Sequence, residues 1–165
     1  MNIAVCPGSF DPVTLGHMDI IRRAAGIYDK VIVVVMSNLA KAAMFSKEER
    51  VDFLLRSTAG IENVEVDSYC GLLADYTRIK KATVIVKGLR AMSDFEYEFQ
   101  MALTNRKLNA ETETTFLTTT SEYMYLSSSL VKQVAQLGGD ISGFVPDCII
   151  DDILRKVELM KGGLF

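Results

Sequence analysis

One histidine, His17, and three cysteines are all the sequence offers toward metal or redox chemistry, and it has no tryptophan. Cys6, Cys70 and Cys148 are odd in number and far apart, without the spacing of a zinc site, a redox pair or a disulfide framework. They are read as buried small apolar residues, and a reducing cytoplasm suits them. With a single histidine, no second imidazole is available to activate a serine nucleophile. No carboxylates pair at the spacing of a protein-built cation cage. Both common nucleotide signatures are missing, since there is neither a Walker A loop nor a G-x-G-x-x-G. Basic excess is missing too. The 18 Lys and Arg face 21 Asp and Glu, a net charge of −3, so the basic face of a nucleic-acid binder is not expected. No apolar stretch reaches the roughly 20 residues of a membrane span, and no signal peptide precedes Met1-Asn2-Ile3. Without repeats, low-complexity tracts or linkers, residues 1–165 are expected to form one domain.

What is present is apolar. Hydrophobic residues make up 49% of the chain, high for a soluble monomer of this size, so identical partners are expected to cover part of the surface. The chain is organised around its first turn, Pro7-Gly8-Ser9-Phe10-Asp11-Pro12-Val13-Thr14-Leu15-Gly16-His17. The apolar run Ile3-Ala4-Val5-Cys6 before it reads as a buried strand. After it, Ile20, Ile21 and Ala24 share one helical face. A strand, a Gly/Pro turn and a helix opening at Thr14 make a phosphate cradle, with free amides and a favourable dipole. His17 sits in the first helical turn, either tucked against its own helix or facing a ligand. As a short polar side chain at a helix start it is expected to contribute little core.

The later elements follow from periodicity and caps. Val31–Met36 is continuously apolar and β-branched, as a strand covered on both faces should be. Ser46-Lys47-Glu48-Glu49 is a capping box opening a helix to about Thr58. Asn63–Asp67 alternates as a third strand, and a helix runs from Leu72 to near Lys81. Ala82–Val86 is the fourth strand, with Lys87-Gly88-Leu89-Arg90 at its carboxyl end. Ser93-Asp94-Phe95-Glu96 is a second capping box, Thr114–Thr119 the fifth strand, and the last helices start at Ser127 and near Asp147. This is an α/β chain, expected to form a Rossmann-like, doubly wound, five-stranded parallel sheet with helices on both faces and C-terminal helices. Ligands in such sheets bind at the carboxyl ends of the strands. Ser9, His17, Lys41, Lys87, Arg90 and the segment Tyr123–Ser129 are all predicted there.

Thr14-Leu15-Gly16-His17 resembles the T-x-G-H form of the motif of the nucleotidylyltransferase superfamily. Pro7–Pro12, Lys87-Gly88-Leu89-Arg90-Ala91, Asp94–Glu98, Asn105-Arg106 and Ser127-Ser128-Ser129-Leu130-Val131-Lys132 narrow the resemblance to the phosphopantetheine adenylyltransferases. The resemblance implies transfer of the adenylyl group of ATP to 4′-phosphopantetheine, giving dephospho-coenzyme A and pyrophosphate, the penultimate step of coenzyme A biosynthesis. The attacking phosphate is already an anion, so no general base is required, and catalysis becomes positioning plus electrostatics.

Residue by residue, the resemblance implies catalytic roles for His17, Lys41, Arg90 and Ser128. It implies ATP contacts from Ser9, Phe10, His17, Gly88, Leu89, Arg90, Glu98, Tyr123, Met124, Tyr125, Leu126, Ser127, Ser128 and Ser129. Ser9, Lys41, Leu73 and Lys87 are the implied contacts of phosphopantetheine. Plainer readings stand beside these: turn residue for Ser9, helix caps for the serines, surface for Lys41 and Glu98, core for Leu73. Position 87 is lysine where many relatives have arginine, and Ala42-Ala43 stand where relatives often have lysine and proline. Lysine keeps the charge but lacks the bidentate fork. Mg²⁺ is expected to arrive with the nucleotide. The resemblance also implies a homohexamer and feedback by coenzyme A. The rival readings are a nucleotidylyltransferase using CTP or nicotinamide mononucleotide, and a non-catalytic nucleotide-binding regulator. A class I aminoacyl-tRNA synthetase shares the motif type, but the chain has no room for an anticodon domain.

Overall fold

Parallel strands alternate with helices along the chain in a computed structural model that describes residues 1–37, 42–90 and 92–162, the side chains of 92–94 excepted. The order is β1 (Ile3–Gly8), α1 (Leu15–Ile27), β2 (Lys30–Met36), α2 (Lys47–Thr58), β3 (Val64–Tyr69), α3 (Leu73–Lys80) and β4 (Val84–Leu89). Then come α4 (Met92–Leu108), β5 (Glu113–Thr118), a 3₁₀ turn (Ser121–Tyr123), α5 (Ser128–Gln136), a second 3₁₀ turn (Asp147–Ile149) and α6 (Ile150–Gly162). The strands form one five-stranded sheet in the order β3-β2-β1-β4-β5, all parallel. This is the expected doubly wound, Rossmann-like α/β fold.

Strand alternation distributes the core between two faces. Ala4, Cys6, Val31, Val33 and Val35 point to one face and pack with Ile21 and Ala24 of α1, Leu54 of α2, Val131 of α5 and Ile153 of α6. Val5, Ile32 and Val34 point to the other and pack with Tyr76 of α3 and Ala82. A one-residue slip in register would exchange these two sets, so the pattern fixes the register. α1 ends at Tyr28, whose N–H bonds the Ala24 carbonyl, and α3 ends at Lys81 in the left-handed conformation.

Three expectations need correction. β1 continues through Pro7 and Gly8 rather than ending at Cys6, and β4 through Lys87, Gly88 and Leu89 rather than ending at Val86. β4 is held there by β5, with Lys87 opposite Phe116 and Leu89 opposite Thr118. α4 opens at Met92, placing Ser93 within the helix rather than ahead of it. Only Cys6 is buried. Cys70 follows the edge strand β3 and Cys148 lies in the second 3₁₀ turn, and both are exposed.

The sheet itself makes the opening for a site. β1 pairs with β4 only at Ala4–Val84 and Val5–Ile85, whereas it pairs with β2 as far as Gly8–Val35. Beyond Val5 the two central strands part. Pro7, with no N–H to donate, is tolerated because β4 no longer pairs there. The crevice lies where the strand order reverses.

Candidate active site

A cavity of about 490 Å³ occupies this crevice. Ser9, Phe10, Gly16 and His17 from the first turn and α1 line it, with Lys87, Gly88, Arg90 and Glu98 from β4 and α4. Leu126 through Ser129 close it from the start of α5.

The first turn is built around Phe10. Its backbone lies in the left-handed region, φ 47°, where a bulky residue is strained unless its surroundings hold it. Here the ring is 4% exposed and lies under Gly8, where a Cβ would meet ring carbon Cζ at 2.9 Å. Gly8 is therefore required by close approach. The Phe10 ring also meets the His17 ring edge-on, with centroids 5.1 Å apart at 73°.

His17 completes a capping box. Thr14 is the N-cap, its Oγ1 accepting from the His17 N–H, while His17 Nδ1 accepts from the Thr14 N–H at 3.0 Å. With Nδ1 an acceptor, the neutral ring carries its proton on Nε2, on the cavity side. Burial, with the Arg90 charge adding to it, lowers the His17 pKa from 6.5 to about 4, so the ring is neutral at physiological pH. The ring is tucked against its own helix through Nδ1, and His17 lines the cavity.

On the opposite wall, Arg90 Nη1 donates to the Leu126 carbonyl at 3.0 Å, tying the end of β4 to the entry of α5. Lys87 Nζ lies 3.1 Å from Glu98 Oε2 and 3.5 Å from Oε1. Lys87 donates a long hydrogen bond to Oε1, while the closer Oε2 is buried with no hydrogen-bond partner and contributes charge attraction alone. Glu98 is thus placed against Lys87. Gly88 faces α1, and a Cβ there would meet Ile20 Cγ1 at 2.9 Å. Its smallness serves the packing of α1 on β4 as well as the cavity.

At the third wall, Ser127 is the N-cap of α5, its Oγ accepting from the Leu130 N–H, and Ser128 Oγ donates to the Pro12 carbonyl at 2.7 Å. Ser129 is exposed at the cavity rim. The starts of α1 and α5 therefore border one space, each with the positive end of a helix dipole, although the Leu15 N–H donates to the Phe144 carbonyl and the His17 N–H to Thr14 Oγ1. Cys6 also lines the cavity, but burial pushes its thiol up to about 12, leaving no thiolate nucleophile.

Other predicted residues lie elsewhere. Leu73 is half-buried against the Tyr76 core on the far face of the sheet. Leu89 accepts from the Thr119 N–H. Tyr123 packs on the core beside Gly16, and Met124 and Tyr125 are exposed outside the cavity. Lys41 lies outside the described residues. Sequence reading assigned no role to Asp11, Arg50 or Lys132, although Asp11 and Lys132 stand within the motifs. Asp11 is buried and accepts from the Phe45 N–H at 2.9 Å, the Met44 N–H at 3.0 Å and Lys132 Nζ at 2.8 Å. Burial raises its pKa, but Lys132 and the two amides outweigh that and hold the carboxyl below its usual value. Arg50, also buried, donates from Nη1 to the Ser9 carbonyl at 2.9 Å. Such long-range partners leave no local signal in a sequence.

Residues 5–134 match the cytidylyltransferase-like family. A phosphopantetheine adenylyltransferase of Clostridium tetani is 57% identical over 94% of this chain and 98% of its own. A phosphopantetheine adenylyltransferase of Caldanaerobacter subterraneus is 55% identical over 96% and 99%. Among solved structures, the nicotinic acid mononucleotide adenylyltransferase of Plasmodium falciparum superposes with a TM-score of 0.68 at 14% identity, over 93% of this chain and 95% of that one. That likeness concerns the fold alone.

Proposed function

The chain belongs to the phosphopantetheine adenylyltransferases, within the cytidylyltransferase-like family, and from that premise we propose how its cavity carries out the transfer. The enzyme moves the adenylyl group of ATP to 4′-phosphopantetheine, releasing pyrophosphate and forming dephospho-coenzyme A. The observation that carries the reading is the meeting of His17, Lys87, Arg90 and the starts of α1 and α5 on one cavity at the parting of β1 and β4.

The phosphopantetheine phosphate attacks the α-phosphorus of ATP in line. His17 donates from Nε2 to an α-phosphate oxygen, a role its neutral state allows and its cap orients. The β- and γ-phosphates lie against the start of α5, where Ser129 and the first-turn amides face outward. Lys87, with Lys41 from outside the described residues, receives the incoming phosphate. Negative charge grows on the leaving pyrophosphate, and Arg90 and the α5 dipole stabilise it in place, with little reorganisation. No acid or base step is required.

Mg²⁺ is proposed to come with the nucleotide. Among the described residues no three His, Cys, Asp or Glu side chains gather as a metal site, so the phosphates themselves and water would hold it. Bound there, it neutralises charge on the triphosphate. An oligomer, by resemblance a hexamer, is proposed on the strength of Phe95, Tyr97, Phe99 and Leu103, all exposed on α4. Coenzyme A, sharing the phosphopantetheine arm, is proposed as a feedback ligand of the same cavity. The exposed thiols of Cys70 and Cys148 fit a reducing compartment such as the cytoplasm.

Pyrophosphate release measured with ATP, CTP and nicotinamide mononucleotide as alternative substrates tests the reading. It should require ATP and 4′-phosphopantetheine together. Turnover with CTP in place of ATP, or none with the pair, contradicts it.

A further inference from the structure

The turn at Ser9–Pro12 is tied by side chains to two elements, the segment entering α2 and the start of α5, and the start of α5 lines the cavity. Toward α2, Asp11 accepts the Phe45 and Met44 amides, and Arg50 of α2 donates to the Ser9 carbonyl. Toward α5, Lys132 donates to Asp11, and Ser128 Oγ donates to the Pro12 carbonyl. Asp11 Oδ2 is the shared atom, accepting from both Met44 and Lys132. A carboxylate is the side chain suited to this, since both of its oxygens only accept. An asparagine would turn its NH₂ toward one of these donors. The pair is well shielded, Asp11 side chain 8% and Lys132 side chain 25% exposed, so water competes weakly for either charge.

We infer that Asp11 and Lys132 are positioning residues that hold the start of α5, on the cavity wall, in register with the first turn and with the segment entering α2. Neither needs to touch a substrate for this. The inference rests on the functional reading above, which places the triphosphate at α5 and the incoming phosphate at Lys87 of β4. A misplacement of about 1 Å in such a site can cost about 10²-fold in rate, so a loosened α5 is visible in kinetics.

The test measures ATP and phosphopantetheine binding by titration calorimetry, together with KM and kcat, in the full chain. Lys132→Met leaves Asp11 its two amides, so it should weaken ATP about tenfold while leaving phosphopantetheine within about twofold. Asp11→Asn disturbs both sides and should weaken both ligands. Lys132→Arg keeps the charge and should restore most of the ATP affinity. A merely structural role would lower melting temperature and the active fraction without this split. Lys132→Met that leaves ATP affinity unchanged, or weakens both ligands equally, overturns the inference. If Asp11→Asn does not fold, the Lys132→Met and Lys132→Arg pair decides alone. A wild type that releases no pyrophosphate from ATP and phosphopantetheine overturns instead the functional reading.

Discussion

His17 does two jobs through two nitrogens, and substitutions can separate them. Its Nδ1 accepts the Thr14 N–H at the start of α1, and its Nε2–H faces the cavity. His17→Ala removes both. Loss of a cap partner costs about 1 kcal/mol, which in a chain of this size lowers the melting temperature by about 2–4 °C. Loss of one transition-state donor should lower kcat by about 10²–10³. His17→Gln restores the reciprocal cap, because glutamine at this position can accept the same N–H. It should recover the melting temperature yet regain little turnover, its amide lying off the line of Nε2. The pH profile gives a further check. The folded ring titrates near 4 and the unfolded one near 6.5, so the unfolded chain binds the extra proton. Stability from this group is therefore complete above pH 6.5, and up to about 3 kcal/mol is lost as pH falls from 6.5 to 4. That part of the profile should flatten in His17→Gln. Melting curves across pH and steady-state rates settle the matter: His17→Ala with wild-type kcat, or an unchanged pH profile in His17→Gln, refutes the reasoning.

Glu98→Gln should raise KM for phosphopantetheine several-fold and KM for ATP less, because Glu98 sits on Lys87. A rise for ATP alone would return Glu98 to the nucleotide. Gly88→Ala drives a methyl into Ile20, itself on the cavity wall, and should cost about 1–3 kcal/mol by chemical denaturation, with activity falling in parallel. An unchanged midpoint would show that α1 can yield there. Phe99→Glu on the exposed apolar face of α4 should reduce the mass seen by light scattering, and an unchanged mass would place the interface elsewhere.

The fold was legible because its signals are local. Val31–Val35 announces a doubly covered strand, and Ser46 with Glu49 forms the capping box that the four-residue pattern predicts. His17, Lys87, Arg90 and Ser127–Ser129 were placed at one sheet edge by topology alone, and they line one cavity. The strand ends were harder, since the apolar run stops at Val86 and only pairing with Phe116 to Thr118 carries β4 on through Lys87, Gly88 and Leu89. His17 reads as contributing little core, being a short polar side chain at a helix start, and its capping role is not seen because a capping box usually shows serine or threonine with glutamate or glutamine. Histidine in the last place hides it. Asp11, Arg50 and Lys132 were hidden for another reason: their partners lie at Phe45, Ser9 and Asp11, distances along the chain that no periodicity records. Cys70 and Cys148 followed composition rather than position, and position left them exposed.

Direct transfer between two bound substrates is the central claim, and stereochemistry at phosphorus reads it most directly. The chain is given ATP with sulfur at the α-phosphate in one configuration, together with 4′-phosphopantetheine, and the configuration of the thio-substituted dephospho-coenzyme A is determined. One in-line displacement predicts inversion, with pyrophosphate released only when both substrates are present. Retention of configuration, or exchange of pyrophosphate into ATP without phosphopantetheine, would mean two displacements through a covalent enzyme and would contradict the account.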